Sequence, residues 1–209
     1  ASSASGFAAL TLALNHLHGW SLTKQTLSLI ARLGSGSACR SFWPGFVVWH
    51  QGARTDGMDS YAQPLNDVWP ELCLGFLLLD SNEKKIPSRE AMKKTMDSSL
   101  LYQSWPKQVK RDLEAIKESI YQRSFDKLGE IAEANALAMH ATMLAARPPI
   151  MYSSSQTWKI IEHVWWLRKE GLPVYFTQDA GPNIKLLFQK IHLERIKLEF
   201  PDLHIQHFF

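Results

Sequence analysis

The sequence predicts an α+β protein in two parts, on three observations. From residue 68 onward it reads β, helices, β, β, α, β, the order of a ferredoxin-like split unit and not of a doubly wound parallel sheet. Trp69-Pro70 breaks the chain just before its clearest strand, which places a boundary near residue 68 and gives parts 1–67 and 68–209. The 209 residues correspond to about 1.4 domains of ordinary size, enough to bury about 70% of the unfolded surface in a core without staples.

Each element has a local cause. Phe7, Leu10, Leu14 and Leu17 recur at helical spacing, predicting a helix over 5–18 with one buried stripe, led in by the capping hydroxyls of Ser2, Ser3 and Ser5. A second helix runs from Leu22 to about Arg32, capped by Ser21 or Thr23. The loop Gly34-Ser35-Gly36-Ser37-Ala38-Cys39-Arg40-Ser41 then enters a short helix. A strand at Phe46–Trp49 and a polar, turn-rich stretch from Gly52 to Asp59 complete the first part. In the second part the apolar run Leu72–Leu79 is a buried strand, followed by helices over 88–104, 106–122 and 124–146. Val109, Leu113, Ile116 and Ile120 line one face of the middle helix, and Arg147-Pro148-Pro149 ends the block. A helix over 155–169, strands over 173–178 and 184–188, a helix over 189–198 and a closing strand over 203–209 finish the chain.

Composition narrows the function classes. Hydrophobic residues at 45% and charged ones at 21% exclude disorder and collagen-like structure. A net charge of +3, with basic residues in scattered pairs such as Lys84-Lys85 and Lys93-Lys94, gives no nucleic-acid stripe. No apolar run reaches the ~18 residues of a membrane span, and the N-terminus lacks the basic start of a signal peptide. Two cysteines, Cys39 and Cys73, without CxxC spacing argue against a disulfide framework or zinc site and for a reducing, cytoplasmic setting. The eight histidines form no HExxH pattern; His140 reads as a satisfied core residue, His204 and His207 as structural, and the eight tryptophans as core and helix packing.

Four places could carry chemistry. Ser2-Ser3 opens a helix and Gly34–Ser37 runs into one, and helix starts present free N–H groups that attract phosphate or carboxylate. The same residues are also what ordinary caps and tight turns use, and neither stretch matches GxxxxGK[ST] or GxGxxG. Arg40, three residues after Ser37, could clamp an anion with its planar fork or be a plain surface arginine. Asp179, between a strand and the turn Gly181-Pro182, has the placing of a general base, although Asp-x-Gly-Pro is first of all a turn signature. Ser88-Arg89 opens another helix, as an anion site or a capped start.

Together these stretches resemble the diphosphomevalonate decarboxylase family of the GHMP kinase superfamily. The resemblance rests on Ala1-Ser2-Ser3-Ala4-Ser5-Gly6-Phe7-Ala8, the Ala31–Ser41 segment and Phe176-Thr177-Gln178-Asp179-Ala180-Gly181-Pro182-Asn183. Asp59-Ser60, Trp69-Pro70, Met139-His140-Ala141-Thr142 and Pro148-Pro149-Ile150 follow it in the same order. It implies an S5-like first part and a ferredoxin-like second part. It also implies ATP-dependent decarboxylation of mevalonate 5-diphosphate to isopentenyl diphosphate, with Mg2+, in a cytoplasmic homodimer of the mevalonate pathway. By the same resemblance Asp179 handles the C3 hydroxyl proton and Arg40 holds the carboxylate. Ser35, Gly36 and Ser37 would line the reacting end, Ser88, Arg89 and the Ala180 backbone would hold the diphosphate, and Ser2 and Ser3 would face ATP.

Three departures from the family pattern stand out. The family's phosphate loop begins several residues before Ala1, and that start and the N-terminal strands are not matched, so the chain reads as about 100 residues short and inactive alone. Gln178 stands where many relatives carry phenylalanine or another residue, and relatives differ around Ser88. A mevalonate-type kinase, a monophosphate decarboxylase of the same superfamily and an inactive scaffold are the alternatives.

Overall fold

A computed structural model describes residues 2–80 and 86–206, apart from the side chain of Ser2. The chain divides after Val68 into two compact units. The first holds helices α1 (Ser2–Leu17) and α2 (Lys24–Gly34), a 3-10 turn over Gly36–Arg40, and strands β1 (Val47–Trp49) and β2 (Ala62–Pro64). The second holds β3 (Leu72–Leu77), α3 (Ser88–Ser98), a 3-10 turn (Leu100–Gln103), α4 (Trp105–Tyr121), α5 (Phe125–Leu144) and α6 (Ser155–Lys169). It continues through β4 (Val174–Gln178), β5 (Ile184–Gln189), a 3-10 turn (Lys190–His192), α7 (Leu193–Glu199) and β6 (His204–Gln206).

In the first unit Ala8, Leu27, Ala31, Ala38 and Phe42 form a small core. The expected α1 stripe is not buried: Phe7, Leu10, Leu14 and Leu17 are exposed, and Ala8 and Thr11 face inward instead. Small side chains let backbones approach, so they decide which face of α1 closes on its neighbours. The Thr11 hydroxyl is satisfied there by donating to the Phe7 carbonyl at 2.7 Å. Thr23 caps α2 by accepting from the Thr26 N–H at 3.2 Å. β1 and β2 pair antiparallel, Val48 opposite Gln63. β2 was not expected, because three residues ending in proline show no alternation. It is tied to α2 by the Ala62 N–H, which donates to the buried Ser28 Oγ at 2.8 Å.

The second unit is built on a four-stranded antiparallel sheet in the order β4-β5-β3-β6. Numbered within the unit this is 2-3-1-4, the ferredoxin-like arrangement that the element order predicts. Its core joins Val174, Phe176, Ile184, Leu186 and Phe188 of the sheet to Ile161, Val164 and Leu167 of α6 and Ile196 of α7. Burying each such side chain stabilises the fold by about 1.5–3 kcal/mol. On α5, Gly129 leaves room for the Tyr175 ring, which a Cβ would overlap.

One charged pair lies beside this core, its carboxylate buried and its guanidinium half-buried. Arg168 grips Glu133 with both arms, at 2.9 and 3.0 Å, while the Trp165 indole N–H donates to the same carboxylate at 2.7 Å. The guanidinium also lies 4.4 Å from the Tyr175 ring centre. Burial and the neighbouring Asp126 push the Tyr175 hydroxyl up to about 12.

Boundaries differ from expectation in a few places. The 88–104 helix ends at Ser98 and gives way to a 3-10 turn, and the 189–198 helix begins as one. The closing strand spans His204–Gln206, with the exposed His204 on it, and residues 207–209, including His207, lie outside the described residues. The tryptophans divide: Trp69 is buried and Trp43 and Trp165 pack against the two cores, while Trp20, Trp49, Trp158 and Trp166 are exposed. Each has a polar indole N–H, which suits a half-wet position.

Candidate active site

The first unit gathers serines at one corner. α1 starts at Ser2, and the Ser3 hydroxyl lies 3.3 Å from that of Ser35, which lies 3.4 Å from that of Ser37. The expected loop is shorter than the sequence suggests. Gly34 is still helical and the 3-10 turn begins at Gly36, leaving Ser35 as the single linking residue, its N–H donating to the Ala31 carbonyl. Both glycines are required by packing, since neither has positive φ. A Cβ on Gly34 would fall within the Phe7 ring, and one on Gly36 would meet Trp49 Cη2 at 2.7 Å.

Arg40 ends the 3-10 turn, exposed, and nothing among the described residues pairs with its guanidinium. Its neighbour Cys39 is buried, and that burial holds the thiol above its ordinary range despite Arg40 and Arg32 nearby.

In the second unit, Asp179 follows the last residue of β4 and begins the turn to β5. Thr177 pairs with Lys185 across the two strands, and Asp179, two residues further along, points to the same side. Its exposed carboxylate accordingly forms an ion pair with Lys185.

The turn is pinned from several directions. Buried Gln178 donates through Nε2 to the Gly181 carbonyl at 2.7 Å and to Ser153 Oγ at 3.1 Å. Thr157, in the capping box of α6, donates to the Pro182 carbonyl at 3.0 Å. Asn183 Oδ1 accepts the Leu79 and Asp80 N–H groups at 2.8 and 3.1 Å, fastening the turn to the end of β3. From α5, His140 Nε2 approaches the Asp179 carbonyl at 3.1 Å, and burial holds the imidazole below the ordinary histidine range.

Ser88 and Arg89 open α3, with Pro87 as the residue before the helix. They lie on the same side of the unit as the turn. Ile86 and Ala180 both pack on the cluster of Ala91, Met143, Ala146 and Ile150, and the Tyr152 hydroxyl donates to the Ile86 carbonyl at 2.8 Å. Lys84 and Lys85, just before, lie outside the described residues. Among the described residues no three His, Cys, Asp or Glu side chains gather as a metal site.

Two family models divide the chain much as the fold does. Residues 1–62 match the diphosphomevalonate decarboxylase-like N-terminal domain, and residues 76–204, more than half the chain, match the mevalonate 5-diphosphate decarboxylase C-terminal domain. The chain belongs to the diphosphomevalonate decarboxylase family. A curated diphosphomevalonate decarboxylase of Candida albicans is 35% identical over 199 residues, covering 94% of this chain and 55% of its own length. A solved structure described as MDDEF in complex with MVAPP, AMPPCP and magnesium is 41% identical with a TM-score of 0.94, covering 99% of this chain and 65% of its own. A structure of the mevalonate diphosphate decarboxylase from Enterococcus faecalis, on mevalonate diphosphate mediated ATP binding, is 41% identical with a TM-score of 0.92 and covers 99% of this chain and 64% of its own. The chain thus spans about half the length of the curated relative, and its fold is the GHMP-kinase-like α+β fold of these decarboxylases.

Within that family frame, the residues around Asp179 were the least legible. Lys185, Thr157 and Ser153 were not singled out, because pairing across 6 to 25 positions depends on the sheet and the capping box. His140 did carry a signal: a lone polar side chain on an apolar helix needs a buried partner.

Proposed function

We propose that the complete protein converts mevalonate 5-diphosphate and ATP to isopentenyl diphosphate, ADP, phosphate and carbon dioxide. The observation that carries this reading is an aspartate fixed on a pinned turn in a chain that belongs to the decarboxylase family. A tertiary alcohol is a poor leaving group, so transfer of a phosphoryl group to it must come first. Asp179 takes or orients the hydroxyl proton during that transfer. Loss of the phosphate leaves positive character at C3, and the adjacent carboxylate then departs as carbon dioxide to form the alkene. Arg40, exposed and unpaired among the described residues, holds that carboxylate in line.

Ser35, Gly36 and Ser37 line the reacting end of the substrate, while Ser88, Arg89 and the Ala180 N–H receive its diphosphate. Ser2 and Ser3, opening α1, face the ATP phosphates. Mg2+, when bound with the nucleotide, neutralises charge on the phosphate oxygens. The same reading has the enzyme acting as a homodimer in the cytoplasm, a setting supported by its two free, buried thiols.

The test supplies the complete protein with ATP, Mg2+ and mevalonate 5-diphosphate, and follows ADP and carbon dioxide together. Equal release of both is expected. ADP without carbon dioxide would make the protein a kinase, and release of neither would end the reading.

A further inference from the structure

We propose that His140 is a positioning residue that aims the Asp179–Ala180 peptide, presenting the Asp179 carboxylate and the Ala180 N–H together. The inference rests on Asp179 being the base of the proposed reaction.

The geometry begins with the carbonyl of Asp179. A carbonyl oxygen only accepts, so the contact at 3.1 Å requires the proton to sit on His140 Nε2. The imidazole is buried on α5, and its burial favours the neutral ring that this tautomer needs. The same oxygen already accepts the Gly181 N–H at 2.7 Å in a tight three-residue turn. One donor satisfies a carbonyl. The second, from another element, fixes the direction in which the carbonyl points.

That direction has a consequence on the far side of the peptide. A trans peptide is planar, with its C=O and N–H pointing opposite ways. Drawing the Asp179 oxygen toward α5 therefore turns the Ala180 N–H away from it. Among the described residues this N–H makes no hydrogen bond. Gln178 and Thr157 hold the carbonyls of Gly181 and Pro182, so the 179–180 peptide is the part of the turn that α5 controls. One imidazole thereby sets both an acid–base group and an anion donor.

The experiment compares His140→Leu, His140→Gln and Asp179→Asn in the complete protein, alongside nitrogen-15 NMR of the wild type. Leucine fills the space without a donor; glutamine places an amide N–H near the position of Nε2. We expect His140→Leu to lower kcat about 10- to 100-fold and raise the KM for mevalonate 5-diphosphate, with the KM for ATP unchanged. His140→Gln should recover most of both, and NMR should find the His140 proton on Nε2.

Wild-type kinetics in His140→Leu, or equal losses in the Leu and Gln variants, would overturn the proposal. So would a proton found on Nδ1, a result that stands even if the Leu variant does not fold. An inactive Asp179→Asn beside a fully active His140→Leu would remove His140 and leave Asp179 in place. An active Asp179→Asn would remove the reading beneath both.

Discussion

The Asp179 turn and the Ser35–Arg40 corner carry similar polar residues but are held by different means. The turn is fastened by buried side chains from three elements: His140 of α5, Thr157 of α6 and Gln178 of β4. The corner is shaped by rings, with Phe7 and Trp49 filling the space that Gly34 and Gly36 leave open. Its hydroxyls touch one another at 3.3 and 3.4 Å, near the long limit for such bonds. Hydrogen bonds fix direction, whereas ring packing fixes volume. The turn is thus built to aim a group, and the corner to hold a surface close to the backbone.

The largest expected effect lies on the aimed side. Asp179→Asn keeps shape and removes the base, so turnover of the complete protein should fall about 10²–10⁴-fold with the KM for substrate little changed. Steady-state kinetics at saturating ATP checks this, and turnover near the wild-type value would take Asp179 out of the chemistry. Next comes the frame behind the turn. Ile161 is fully buried under the sheet, and Ile161→Ala should cost about 2–5 kcal/mol in denaturant unfolding.

The corner yields a smaller change. Arg40→Lys keeps the charge but loses the two-pronged fork, and a charge-assisted hydrogen bond of about 1.5–3 kcal/mol translates into a loss of about 10- to 100-fold in rate. A lysine variant as fast as the wild type would mean that charge alone suffices there. Smallest of all is Leu17→Ser on α1. Leu17 is 76% exposed, so unfolding free energy should move by less than about 0.5 kcal/mol. A large loss would mean that the α1 stripe is covered in solution.

Legibility in the sequence followed the same division. In the second unit the order β, helices, β, β, α, β was enough to infer the sheet, because each strand's apolar residues meet a layer supplied by the same unit. In the first, spacing placed α1 correctly but named the wrong face. Periodicity records which residues are apolar; the small side chains of Ala8 and Thr11 decide which side can close. Asp179 and Arg40 stood out through turn chemistry and motif. The Lys185 pair and the His140 bond did not, since each depends on strand register or helix placement.

The sheet's connectivity also has a bearing on how the chain is made. Asn183 fastens its turn to Leu79, 104 positions earlier, and β3 finds its central partner β5 in the same late segment. At about 5–20 residues per second, a ribosome needs about 5–20 s to cover that distance. During that interval Leu72–Leu77 has left the site of synthesis with neither neighbouring strand yet made, its apolar residues and both edges uncovered. The aspartate turn is therefore a product of late assembly: it cannot be fastened to the end of β3 until the β4–β5 segment has been made.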